Sequence, residues 1–157
     1  MSKKPIIVWF RQDLRLTDNP ALTAAAETGA PILPVFVLDD ETPGKWALGG
    51  ASRWWLHRSL GALFRALSEH GCTLHLRSGN AAVQIRSLAA ETGAQAVYWN
   101  RCYEPFATRR DSTLKSALRE DGVASESFNA ALLFEPWEVK TKTGTPPKVY
   151  SPYWRAM

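Results

Sequence analysis

Short apolar runs alternate with amphipathic stretches along the whole chain. Ile6 to Phe10 is a continuous apolar run, the mark of a central parallel strand covered on both faces. Thr17-Asp18-Asn19-Pro20 supplies capping oxygens and a first-turn proline, so a helix is expected from there to about Thr28, with Gly29 ending it. Ile32 to Leu38 reads as a second strand, and Asp39 to Gly50 as a loop rich in glycine and proline. The longest helix is expected over Ala51 to His70. Leu56, Leu60, Leu63, Phe64 and Leu67 form its core stripe, and Trp54 shares the face of Arg58 and Arg65. Leu74–Arg77, Ala96–Asn100 and Val123–Phe128 read as further strands. Ala81–Glu91, with Val83, Ile85, Leu88 and Ala89 inward, and Thr108–Glu120, with Leu114 and Leu118 inward, read as helices. Beyond Asn129 the pattern is irregular, and 141–147 reads as an exposed polar loop.

Five strands joined by four helices predict an α/β, doubly wound, parallel five-stranded sheet of order 3-2-1-4-5, Rossmann-like, with helices on both faces. In such a sheet a ligand binds at the carboxyl ends of the strands where the order switches. The expected site therefore lies near Phe10-Arg11, Leu38-Asp39 and Asn100 to Glu104.

Composition narrows the class. The 157 residues, 45% hydrophobic and 22% charged, suit one globular domain with its own core. Net charge is +4 and is spread evenly. Residues 1–80 carry nine basic and seven acidic side chains, and residues 81–157 carry ten and eight. This balance permits nucleic-acid contact without requiring it. No run is long enough for a membrane span or a signal-peptide core, so a cytoplasmic protein without membrane attachment is expected. Cys72 and Cys102 lack the spacing of a disulfide framework or a zinc site, and no metal site is expected. Seven tryptophans point to an aromatic-lined crevice or interface.

Catalytic machinery is not apparent. There is no GxGxxG, no P-loop and no GxSxG. Gly49 to Arg53 opens the long helix and reads either as an anion site or as a plain flexible lead-in. Asp39 and Asp40 read as a solvated pair. Arg11, Asp13 and Arg15 read as a salt-bridged turn, and Glu104 as a cap of the following helix.

Four blocks carry a family likeness. Val8-Trp9-Phe10-Arg11-Gln12-Asp13-Leu14-Arg15-Leu16-Thr17-Asp18-Asn19-Pro20-Ala21-Leu22 closely resembles the N-terminal signature of the DNA photolyase/cryptochrome family. Gly50 to Leu56, Val97 to Pro105 and Lys148 to Trp154 agree with it, in order. The resemblance implies an N-terminal α/β domain, placed at 1–135, which holds a light-harvesting antenna chromophore. A tail at 136–157 would lead toward a helical FAD-binding domain lying outside this chain. FAD, light-driven electron transfer and the repair of pyrimidine dimers in damaged DNA would belong to the full-length protein. The fragment alone would be inactive, would carry no catalytic residue, and would be a monomer or weak dimer. A cryptochrome photoreceptor without repair activity is the alternative, and a free-standing nucleotide- or flavoprotein-type α/β domain is a third.

The wording of the second and third blocks is similar to a bacterial subgroup close to plant cryptochromes. Methenyltetrahydrofolate is therefore favoured over 8-hydroxy-deazaflavin. Phe106 and Ala107 stand where other folate-binding members place polar residues, and Cys102 stands where deazaflavin-binding members place an acid. The residues expected to hold the chromophore are Arg11, Leu38, Asp39, Trp46, Arg53, Asn100, Cys102 and Glu104. Arg11 and Arg53 would meet an anionic or carbonyl edge, and Glu104 would accept from ring N–H groups. Cys102, Leu38 and Trp46 would supply apolar wall. Tyr150, Tyr153 and Trp154 would pack between domains.

Overall fold

A computed structural model describes residues 3–141, 144–145 and 147–157. Its sheet is built from β1 (Ile6–Phe10), β2 (Ile32–Leu38), β3 (His75–Ser78), β4 (Ala96–Asn100) and β5 (Ala124–Phe128). All neighbours pair in parallel, in the order β3-β2-β1-β4-β5, as the alternation of elements predicts. β1 lies at the centre and every residue of it is buried.

The helices are α1 (Pro20–Glu27), α2 (Gly50–Glu69), α3 (Ala81–Thr92) and α4 (Pro105–Glu120), with α5 (Tyr150–Ala156) in the tail. The two-residue period of β1 divides the core. Ile6, Val8 and Phe10 pack with Ala25 of α1 and with Leu63 and Leu67 of α2. Ile7 and Trp9 pack on the other face with Ile85 and Leu88 of α3 and with Leu114 and Leu118 of α4. Both faces of the central strand are thus covered, which explains its unbroken apolar run.

Local signals set the helix ends. The Asn19 side chain accepts from Leu22 N at 3.1 Å, and Asn80 accepts from Val83 N at 3.2 Å. Gly93 closes α3 at φ 62°, a left-handed conformation that a β-carbon would strain.

Four details differ from the expectation. α4 starts at Pro105 rather than Thr108, because the proline fits the first helical turn, where no N–H is needed. Phe64 and Val83 are largely exposed, not core, since each lies at the margin of its helix's apolar stripe. The Arg58 guanidinium lies 5.5 Å from the Trp54 ring centre, as their shared helix face leads one to expect. A short 3-10 turn, Gly44–Trp46, sits in the expected loop. The irregular tail contains α5, on which Tyr150 and Trp154 stack at 6.2 Å. Of the loop expected at 141–147, residues 142, 143 and 146 lie outside the described residues. Around them Thr141 N donates to the Thr145 carbonyl at 2.8 Å. No helix among the described residues is long and apolar enough to cross a membrane.

Candidate functional site

A cleft of about 1190 Å³ opens at the carboxyl edge of β1 and β2 and beside the loop that follows β4. It lies where the chain switches from one side of β1 to the other, the place a doubly wound sheet leaves open. One side is Phe36 to Leu38 with Pro43, Trp46 and Leu48 of the following loop. The first turns of α2 add Ser52, Trp55 and Leu56. Opposite stand Gln12, Leu14 and Arg15 after β1, and Cys102 and Glu104 to Ala107 with Arg110 after β4.

Arg11 forms part of the cleft wall, but its charge is engaged inward. One terminal nitrogen donates to Asp111 Oδ2 at 2.7 Å, and the other donates to the Asn100 carbonyl. Its guanidinium lies 4.8 Å from the Trp9 ring centre, and that of Arg110 lies 4.7 Å from the same ring. Asp111 also accepts from Trp99 Nε1 at 3.1 Å and from Arg110 at 2.8 Å. Arg11 Nε is the one buried side-chain polar atom without a partner among the described residues.

The expected salt-bridged turn is therefore corrected. Asp13 takes the Arg11 backbone N–H at 2.8 Å and the Asn100 amide at 2.6 Å. Arg15 turns to the Asp18 and Ala130 carbonyls instead. The reason is electrostatic: Arg11 has a buried carboxylate at its far end, and Asp13 is satisfied by amides.

Asn100 is buried and points away from the cleft. Its amide also donates to Asn19 Oδ1 at 2.7 Å, and its oxygen accepts from Ala21 N at 3.1 Å. Every polar atom of that side chain serves the joint between β4, the β1 loop and α1. Arg53 stands at the rim and outside the lining. It donates to the Leu48 carbonyl at 2.9 Å and pairs with Asp40 at 2.8 Å, fastening the 39–49 loop to α2. The glycine-led start of α2 thus has its nearby cation neutralised.

Asp39, expected either as one of a solvated pair or against the chromophore, lines the cleft and is a junction. It accepts from the Thr42 hydroxyl, from Thr42 N at 2.9 Å, from Glu41 N at 3.1 Å and from Ala81 N at 3.0 Å. Burial pushes its carboxyl up, but these hydrogen bonds outweigh burial and hold it below its ordinary 3.8.

Leu38, Trp46, Cys102 and Glu104 meet in the cleft. Trp46 is 72% exposed on the lip, with the Lys45 ammonium 5.4 Å from its ring centre. Burial pushes the Cys102 thiol up, so it stays protonated at neutral pH. Glu104 occupies the N-cap position of α4 without capping it. Its carboxylate instead accepts from Gln12 Nε2 at 2.8 Å, and this bond, ahead of an opposing burial effect, lowers its pKa. Gln12 and Trp55 are lining residues that sequence reasoning passed over, although both lie inside the quoted family blocks.

A second network braces the same edge. Glu135, buried, accepts from Arg101 and, at 3.0 Å, from the Tyr103 hydroxyl, while Trp137 packs over Arg101 at 5.8 Å. Burial, then the hydrogen bond to Glu135, raises the Tyr103 pKa.

Residues 6–157 match the family model for DNA photolyase. The chain belongs to the DNA photolyase family. The deoxyribodipyrimidine photo-lyase of Agrobacterium fabrum is 49% identical over 98% of this chain and 31% of its own length. Cryptochrome-1 of Arabidopsis thaliana is 41% identical over 94% of this chain and 22% of its own. A crystal structure of a class III photolyase from Agrobacterium tumefaciens superposes with a TM-score of 0.90. It is 48% identical, over 99% of this chain and 32% of that one. This photolyase-family chain therefore spans less than a third of the length of these relatives.

Proposed function

We propose that this chain is the light-harvesting domain of a DNA photolyase and that its cleft holds an antenna chromophore, a reduced folate in preference to a deazaflavin. The observation that carries the reading is the aromatic-walled cleft at the strand switch, with two ionised carboxylates in its lining, Glu104 and the hydrogen-bonded Asp39. A planar conjugated ring needs apolar walls for its faces and a few fixed polar groups for its edge. Trp46, Trp55, Leu38 and Phe36 offer the walls. Glu104 and Gln12 offer the edge, and Cys102 adds a protonated, apolar contact.

Charge supports folate. Methenyltetrahydrofolate carries a delocalised cation, which suits a carboxylate and indole faces. The arginines at the cleft face carboxylates of their own: Arg11 and Arg110 share Asp111, Arg53 has Asp40, and Arg15 lies 3.7 Å from Asp18. Among the described lining residues no cation lacks a carboxylate to favour the phenolate of an 8-hydroxy-deazaflavin, and Lys45, outside the lining, lies against Trp46. Arg11, Asp39, Arg53 and Asn100 then act by holding the walls in place. When bound, such a chromophore would collect light and pass its energy to FAD. The protein needs only to fix its distance and orientation.

Residues 1–135 are proposed as the antenna unit and 136–157 as the lead toward an FAD-binding domain in the full-length protein. That whole protein would act on pyrimidine dimers in DNA. A cryptochrome-type photoreceptor is the second reading, favoured by the 41% identity to the Arabidopsis cryptochrome. A repair assay of the full-length protein on dimer-containing DNA separates the two.

The binding claim is tested by absorption and fluorescence titration of the 157-residue chain with methenyltetrahydrofolate, then with a deazaflavin. A saturable, red-shifted folate spectrum that Glu104→Ala weakens is expected. Deazaflavin binding in its place would overturn the folate assignment, and binding of neither would overturn the antenna reading for this chain.

A further inference from the structure

A second groove, of about 370 Å³, runs between the outward face of α2 and the edge strand β3, and none of its lining residues borders the chromophore cleft. We propose that it docks an extended acidic peptide segment of a partner protein, with an apolar side chain seated in the groove and flanking carboxylates on α2.

The argument starts from charge. α2 runs for 20 residues with a single carboxylate, Glu69, at its last position. Arg58 and Arg65 line the groove beside His57, and neither arginine has an ion-pair partner among the described residues. Elsewhere the paired arginines face acids, as Arg77 does with Glu91 and Arg86 with Asp121. Two unpaired guanidiniums on one helix face complement a negatively charged partner.

The floor of the groove is apolar. Leu76 is 61% exposed and Phe64 47% exposed, large fractions for side chains beside a core. The register aligns Leu76 with Phe36, which is buried under α2, so Leu76 lies on the α2 side of the sheet just beyond the covered area. Arg77, next in the strand, points to the opposite face and pairs with Glu91 of α3.

The shape selects an extended chain. β3 pairs with β2 alone and closes the sheet, so its outer edge offers backbone donors and acceptors for one more strand. A second copy of this chain would bring Arg58 and Arg65 against their own like charges, which disfavours self-pairing across this edge.

The test uses fluorescence anisotropy of a short labelled peptide in which a leucine has a glutamate two positions to either side, so that all three side chains share one face of the extended chain. A peptide with lysine in place of glutamate and a labelled duplex DNA serve as comparisons. Saturable binding of the acidic peptide is expected, weakened by salt. It should fall roughly tenfold in affinity, about 1.4 kcal/mol, in the Arg58→Glu/Arg65→Glu double variant. Leu76→Ser, a change at an exposed position, should weaken binding comparably while the circular dichroism spectrum stays that of wild type. Absence of binding, equal binding of the basic peptide, or indifference to both variants would overturn the proposal. Binding of duplex DNA in preference to the acidic peptide would overturn it in favour of a nucleic-acid surface.

Discussion

Two guanidiniums approach the Trp9 ring, and this packing shows what single residues contribute to the site. Arg11 and Arg110 both approach its ring within 5 Å of the centre, at 4.8 and 4.7 Å, and both donate to Asp111. One carboxylate therefore balances two buried cations and also accepts from Trp99. Removing one partner of a buried ion pair leaves an uncompensated charge and costs about 3–5 kcal/mol, whereas replacing both with apolar groups costs much less. Asp111→Ala is expected to lower the unfolding free energy by about 3 kcal/mol, near the low end of that range, because the Asn100 carbonyl still holds Arg11. The double replacement Arg11→Met/Asp111→Leu should recover part of the loss. Urea unfolding curves of the two variants check this, and a double variant less stable than Asp111→Ala would refute the pairing account. The role of Asp111 was not legible in the sequence. It sits 100 positions from Arg11 in the chain, on a helix whose spacing only places it near the buried face.

At the scale of elements, periodicity and caps made all five strands and the four helices around the sheet readable, including the strand order. The misses have local causes. Pro105 is the start signal for α4, but it stands at the end of the third family block, before the apolar period of the helix shows. α5 is too short, with Pro152 inside it, to show a helical period. Asp39 shows why junctions between elements are harder to read than the elements. It follows β2, closes the turn over Glu41 and Thr42, and reaches across to the first N–H of α3. Nothing in the local pattern reveals that distant N–H, and two adjacent acids look solvated. The junction has a pH signature. Its carboxyl is held below the ordinary 3.8, so its stabilising effect is complete above that value and is lost as pH falls through the lower folded value. Asp39→Asn is expected to cost about 1 kcal/mol at neutral pH, the worth of an exchanged hydrogen bond. The gap from wild type should close as the pH drops below 3.8. Chemical denaturation at neutral pH and at pH values below 3.8 measures both quantities, and a gap independent of pH would show that the charge plays no part.

Across the whole molecule, the cleft is assembled from pieces of chain that touch only because the sheet order switches. The β1 loop supplies Gln12, the loop after β2 supplies Trp46, α2 supplies Trp55, and the loop after β4 supplies Glu104. The fold predicts where such a cleft lies, but not which side chains face it. Trp55 lies one position before the core residue Leu56, so helical periodicity sets it aside as surface, and only the folded-back 39–49 loop turns that surface into a wall. A ligand that bridges these pieces binds the folded chain and not the unfolded one. It must then raise stability by mass action, by about 2.7 kcal/mol at a hundred times its Kd. For a domain of this size that corresponds to a rise in Tm of roughly 5–10 °C. Trp46 and Trp55 are 72% and 69% exposed without ligand, so replacing either with alanine removes little of the core. Trp46→Ala and Trp55→Ala are therefore expected to leave the Tm of the free chain nearly unchanged and to sharply reduce the rise produced by methenyltetrahydrofolate. Trp137→Ala, outside the cleft lining, should keep that rise. Thermal unfolding with and without folate decides the matter. A ligand-induced shift that survives both cleft variants would place the chromophore elsewhere on the molecule.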